Sequence, residues 1–250
     1  NVKGKYFISI CVSLVFIIVF SSFTFSKIEE KTDATLVQKN NMLQNDMKKE
    51  EEYKIYSYIT DEMQQKAQDV TPVILCYARA YTPEYLNEIA SHIVVARVIS
   101  IDEMDVSYSL FGMTKGKLLI NNSLKGDFKN GQVVSFGKLG GIIDAQTIID
   151  VQGEECSYTN EEPKSKIYFN LIREFDINIE EGKTYLLYLS YNEHEDVYEI
   201  LGLKYGLREI NIPQEKDTIS LINVDFSKLE LKNNDTNEFE NLQEYIDKYI

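Results

Sequence analysis

Three textures of apolar and polar residues follow one another along this chain. Residues 6–25, from Tyr6 to Phe25, are apolar without charge, Pro or Gly. Residues 27–70 are polar, with Ile55, Ile59 and Met63 four apart and Met47 two turns earlier. From residue 93 on, short apolar or alternating runs are cut by Gly, Asn and Asp. The first texture predicts a membrane-spanning helix, since twenty residues at the helical rise cover about 30 Å, the thickness of a bilayer core. The second predicts a charged spacer with a marginal amphipathic helix over residues 45–68. The third predicts a β domain. Domains are therefore expected at residues 1–26 (anchor or signal segment), 27–71 (spacer) and 72–250 (β domain with a C-terminal helix).

Residues 93–101, IVVARVISI, are the first strand, apolar on both faces through Ile99 apart from Arg97. Residues 108–120 follow, with Gly112 and Gly116 as bulges or bends. Leu124 to Asp127 makes a turn, and Asn130-Gly131 signals a type I′ hairpin. In residues 132–138, Val133, Ser135 and Gly137 share one face and Val134 and Phe136 the other. Gly140-Gly141 breaks the chain, and residues 144–166 read as a long loop. Further strands are expected at 167–175, 184–191, 197–201 and 208–212. Polar turns separate them, without helices of crossover length, so the set is an antiparallel barrel or sandwich. Two helices flank it. Thr82-Pro83-Glu84 opens one, with Tyr85, Leu86, Ile89 and Ala90 as its stripe. Asp235, with Glu238 three residues on, opens the other, with Phe239, Leu242, Tyr245, Ile246 and Tyr249 inward.

Charge and cysteines narrow the class. A net charge of −14 argues against non-specific nucleic-acid binding and against docking on anionic lipid through a basic face. Lys3 and Lys5 before the apolar segment favour a cytoplasmic N-terminus. A cleaved signal peptide is the alternative. Either places the rest outside the cytoplasm. The sequence opens on Asn1, as a trimmed or partial chain would. Cys11 lies inside the apolar segment. Cys76 and Cys156 lie beyond it, either bridged by one disulfide or as two thiols.

The order of these segments resembles the netrin-like module, the OB-type barrel shared by tissue inhibitors of metalloproteinases and netrin C-terminal domains. Cys76 precedes a short helix. Residues 91–100, SHIVVARVIS, are similar to that group's first strand. SLKGD at residues 123–127 looks like its turn, and EGKTYLLYL at residues 181–189 like a later strand. Surface proteins of low-GC Gram-positive bacteria carry the same pattern and look closer still. The resemblance implies a mainly β fold: a small antiparallel OB-like barrel with flanking short helices. It does not imply protease inhibition, because Cys76 is internal and followed by Tyr77-Ala78-Arg79 where the inhibitors have C-x-C. The group's other disulfide cysteines are also missing.

Candidate chemistry is sparse. His92 sits at a helix–strand junction and His194 in a hairpin. Glu193, His194, Glu195 and Asp196 read as a polar hairpin tip; cation ligation is the weaker reading. Asp144, Asp150, Glu154 and Glu155 share the long loop. No G-x-S-x-G or phosphate loop occurs. Tyr185, Tyr188 and Tyr198 are candidate ligand-facing aromatics, within a crowd that includes Tyr191 and Tyr205. No catalytic, cofactor or metal site is expected. The function expected is a membrane-anchored, extracytoplasmic, non-enzymatic module for a protein or cell-wall ligand. The alternative is a sensor or regulatory ectodomain of a stress or sporulation system, and a hydrolase comes third.

Overall fold

A computed structural model describes residues 55–70, 81–107, 112–152, 163–172, 176–212 and 225–250, all within the unit Glu50–Ile250. The expected membrane helix at residues 6–25 and Cys11, Cys76 and Cys156 lie outside these residues. Among the described residues no helix is long and apolar enough to cross a membrane. The fold is mainly β with short helices.

Its central element is β3 (His92–Asp105), which is longer than the expected strand at both ends. Its two faces enter two different cores. Val94, Ala96 and Val98 face one cluster and Ile93 and Val95 another, and all five are fully buried. That explains an apolar run without clean alternation: each face has its own apolar partner layer. Each of the Val and Ile side chains contributes about 1.5–3 kcal/mol through burial.

Around β3 the pairings close a ring. β3 pairs antiparallel with β4 (Met113–Lys125), and β4 with β5 (Val133–Leu139). β5 lies parallel to β9 (Val197–Ile200), β9 antiparallel to β8 (Thr184–Asn192), and β8 antiparallel to β3. The β3–β4 pairing shifts at four points, bulges that bend a long hairpin enough to close on itself. Gly116 is required where the hairpin turns inward. A Cβ there would collide with the Ser100 carbonyl oxygen and lie 2.8 Å from the Phe136 ring. The ring interior is filled by Val94, Val98, Leu118, Ile120, Phe136, Tyr185, Leu187 and their neighbours. Residues 176–183 cross one end of it, where Ile179 is buried in the same cluster. Asn130-Gly131 does not make the expected two-residue turn. The β4–β5 connection spans residues 126–132, and only Gly131 of the pair has positive φ.

The outer face of β3 and β8 is covered by two helices. In α2 (Pro83–Ile89), the Thr82 side chain accepts a hydrogen bond from Tyr85 N, as expected of an N-cap. Leu86 and Ala90 are buried, whereas Ile89 is exposed. The C-terminal helix, α4 (Leu242–Tyr249), starts seven residues later than Asp235. Asn233 explains why: its side chain accepts from Asp235 N and holds residues 233–237 in a turn between β11 (Glu230–Lys232) and β12 (Phe239–Asn241). The helix is capped by Asn241, which accepts from Glu244 N. Phe239 is thus an edge-strand residue, 48% exposed, and not part of the helical stripe. β11 pairs with β10 (Leu207–Asn211), and β10 with β8.

Residues expected to form one spacer helix do something else. β1 (Tyr56–Ser57) lies parallel to β3, and Thr60 starts a separate helix, α1 (Asp61–Lys66), by accepting from Met63 N. Ile55 is exposed while Met63 is buried, so the four-residue repeat is not one stripe. β2 (Gln68–Val70) joins β7 (Tyr168–Leu171) and β6 (Gly141–Asp144) in a second, three-stranded sheet. The expected loop after Asp144 instead holds α3 (Ala145–Gln152). The Asp144 carboxylate accepts from Thr147 N and Thr147 Oγ1, and Ala145 and Ile148 are buried.

Candidate functional site

The three candidate aromatics part company. Tyr185 and Tyr188 are 2% and 0% exposed and are core residues, which corrects the expectation that they face a ligand. They stand three residues apart on β8, an odd spacing that puts them on opposite faces, so Tyr185 enters the ring interior and Tyr188 the helix layer. The Tyr185 hydroxyl accepts from Glu180 N at 3.2 Å, and the Tyr188 and Tyr245 hydroxyls share a hydrogen bond of 3.1 Å. Burial pushes both phenols well above the usual tyrosine range. Tyr198, in β9, is half-buried.

Tyr198 belongs to an aromatic group at one end of the β8–β9 hairpin. Its ring lies 4.7 Å from Phe128, 5.2 Å from His92 and 5.2 Å from Tyr191, centre to centre. His92 stacks on Phe128 at 4.2 Å. Phe128 is buried against the ring interior, so His92 covers the residue that plugs that end. Tyr191 presents the exposed surface of the group, at 46%. Its hydroxyl donates to Asp196 Oδ1 at 2.5 Å, which raises the phenol's pKa. In the sequence Tyr191 is one of a crowd of tyrosines. Its place near the polar turn was the signal that it would stay in solvent while Tyr185 and Tyr188 went inside.

His92 is held from both sides. Nδ1 lies 2.9 Å from Ser91 Oγ and Nε2 lies 3.1 Å from Asp127 Oδ1. His92 holds the Asp127 carboxyl below the usual range. Ser, His and Asp are the residue types of a hydrolytic triad, but the roles do not match. The Ser91 hydroxyl also donates to Leu189 O at 3.2 Å, and the Asp127 side chain is 96% exposed. The contacts fix the imidazole as a cover over Phe128.

The acids expected at the hairpin tip turn to separate partners. Asn192 accepts from His194 N and Glu195 N and shapes the turn. Asp196 goes to Tyr191, and Glu195 receives Lys115 Nζ at 2.6 Å. Lys115 also reaches Asp105 Oδ2 at 2.8 Å, joining the β8–β9 turn to the β3–β4 end. Among the described residues no group of three His, Cys, Asp or Glu is placed to hold a metal ion. Asp144 caps α3, Asp150 accepts from Gln146, and Glu154 and Glu155 lie outside the described residues.

Hydrogen bonds from Lys115 and Ser107 depress Asp105 to about 2. A carboxyl with a lowered folded pKa contributes stability above its unfolded value, about 3.9, and loses it as pH falls through about 2. Urea midpoints measured from pH 5 down to pH 2 should therefore fall less steeply in Asp105→Asn than in the parent. Parallel curves would remove Asp105 from the acid response.

One buried pair was missed in the sequence. Lys138 Nζ lies 2.8 Å from Asp176 Oδ2, with side chains only 4% and 1% exposed. Lys138 follows Val134 and Phe136 at two-residue steps, so the strand's own alternation placed it inward. Lys138 Nζ also donates to Leu139 O at 3.1 Å, and Asp176 Oδ1 accepts from Ile177 N at 2.8 Å.

No protein-family model matches the sequence, and no curated protein matches it.

Proposed function

We propose that this chain is a non-enzymatic, extracytoplasmic module, tethered through residues 6–25, that binds a protein or cell-wall ligand on the outside of an OB-type barrel. The barrel assignment is supported by the ring order β3-β4-β5-β9-β8 with its one parallel pair, β5 and β9. That is the strand order of an OB barrel closed on its first strand, as the resemblance to netrin-like modules implies. Side chains fill the interior, so recognition falls to the surface. OB barrels bind through the loop that joins the last two barrel strands, among others. Here that loop is the β8–β9 turn. The observation that carries the reading is Tyr191, exposed beside Tyr198 at the base of that turn and hydrogen-bonded to Asp196.

Co-sedimentation of the full chain with isolated Gram-positive wall tests it. The expected result is binding that weakens roughly 2- to 10-fold in Tyr191→Ala, the loss of one aromatic contact. Binding that is absent, or equal in parent and variant, would overturn the wall reading at this site. Release of soluble wall fragments by the purified chain would overturn the non-enzymatic one.

A further inference from the structure

The geometry points to a modification site in the buried pair: an amide cross-link formed spontaneously between Lys138 Nζ and Asp176 Cγ. The two groups are already in hydrogen-bond contact at 2.8 Å, and water is excluded from both, with exposures of 4% and 1%. Their neighbours supply what a condensation needs. Leu139 O accepts from the amine at 3.1 Å and orients it. Ile177 N donates to Asp176 Oδ1 at 2.8 Å, where negative charge builds up when nitrogen adds to the carboxyl carbon. Oδ2, the oxygen facing the amine, is the leaving group. Holding both reactants in contact makes the step effectively unimolecular.

The step balances without a co-reactant. A proton passes from the ammonium to Oδ2 across the existing hydrogen bond. The neutral amine adds to Cγ, forms the C–N bond and passes a second proton to Oδ2. The Cγ–Oδ2 bond then breaks, and Oδ2 leaves with two protons as one water. The product joins β5 covalently to the segment that crosses the ring end. Its ends are 38 residues apart in sequence, and the loop so closed restricts the unfolded chain as a disulfide does.

Mass spectrometry of the folded, full-length chain decides. Intact masses are compared with Lys138→Arg, which keeps the charge and cannot form this amide. The expected result is a parent lighter than its sequence by one water, a variant of full mass, and a branched peptide from the parent linking Lys138 to Asp176. A parent of full mass would overturn the proposal. So would a one-water loss that persists in Lys138→Arg or maps to Asp176 alone, which is the signature of a succinimide.

Discussion

Asp176→Ala should lower stability by about 3–5 kcal/mol, because it leaves the Lys138 ammonium buried without a carboxylate. The pair joins β5 to the segment that crosses the ring end, with exposures of 4% and 1%, so water is kept from the ammonium. The pair's net worth is a separate quantity. Desolvating two charges offsets most of their attraction, and an apolar pair of similar volume is often as stable. The double variant Lys138→Met, Asp176→Leu should therefore be more stable than either single variant. Urea unfolding of the three gives the ordering. A single variant equal to the parent would mean that solvent reaches the site. A double variant less stable than either single would mean that the contacts around the pair, not the charges, set the cost.

Phe136→Ala should cost about 3–5 kcal/mol, the range for removing a fully buried aromatic ring. Phe136 is 0% exposed and packs where Gly116 lets β3 and β4 draw close. Strands on every side of the closed ring restrict collapse into the void. Phe239→Ala is the matched control. It removes the same side chain from an edge strand where it is 48% exposed, and should change stability by less than about 0.5 kcal/mol. The urea midpoint should drop in the first and hold in the second, with the slope unchanged in both. Similar losses in the two would mean that the ring interior repacks freely.

The strands of the ring were legible because their pattern is local. Residues 184–191 and 197–201 carry β-formers between Gly and polar turns, and Gly131 marks a bend. Other features depended on partners far away in sequence. β1 and β2 are strands only because β3 and β7 offer them an edge, and at two and three residues they are too short to carry a pattern of their own. The start of α4 shows one local signal displacing another. Asp235 followed by Glu238 looks like a capping box, yet Asn233 captures Asp235 N and spends that signal on a turn. Asn241 with Glu244 provides a second one later. The tyrosines failed for a different reason. Composition says a hairpin is rich in rings but not which way each points. Parity gives that for Tyr185 and Tyr188 only once both faces of β8 are known to be covered. The Lys138–Asp176 pair was missed although half of it was legible: Lys138 shares the inward parity of Val134 and Phe136, while Asp176 lies in irregular chain with no periodicity to read.

The two-sided burial of β3 has a consequence for how the chain finds its register. In a strand with one wet face, slipping by one residue throws every apolar side chain into water, and that penalty fixes the alignment. Slipping residues 93–101 by one would exchange one apolar set for another and expose almost nothing. What penalises the slip is narrower. It would turn Arg97, the only charge in the run, into the ring interior, where an unpaired guanidinium is costly. It would also take Ala96 from the interior and put a larger side chain in its place. One arginine and one alanine thus do the work that polar alternation does elsewhere, and the arginine in the opening strand is an alignment mark.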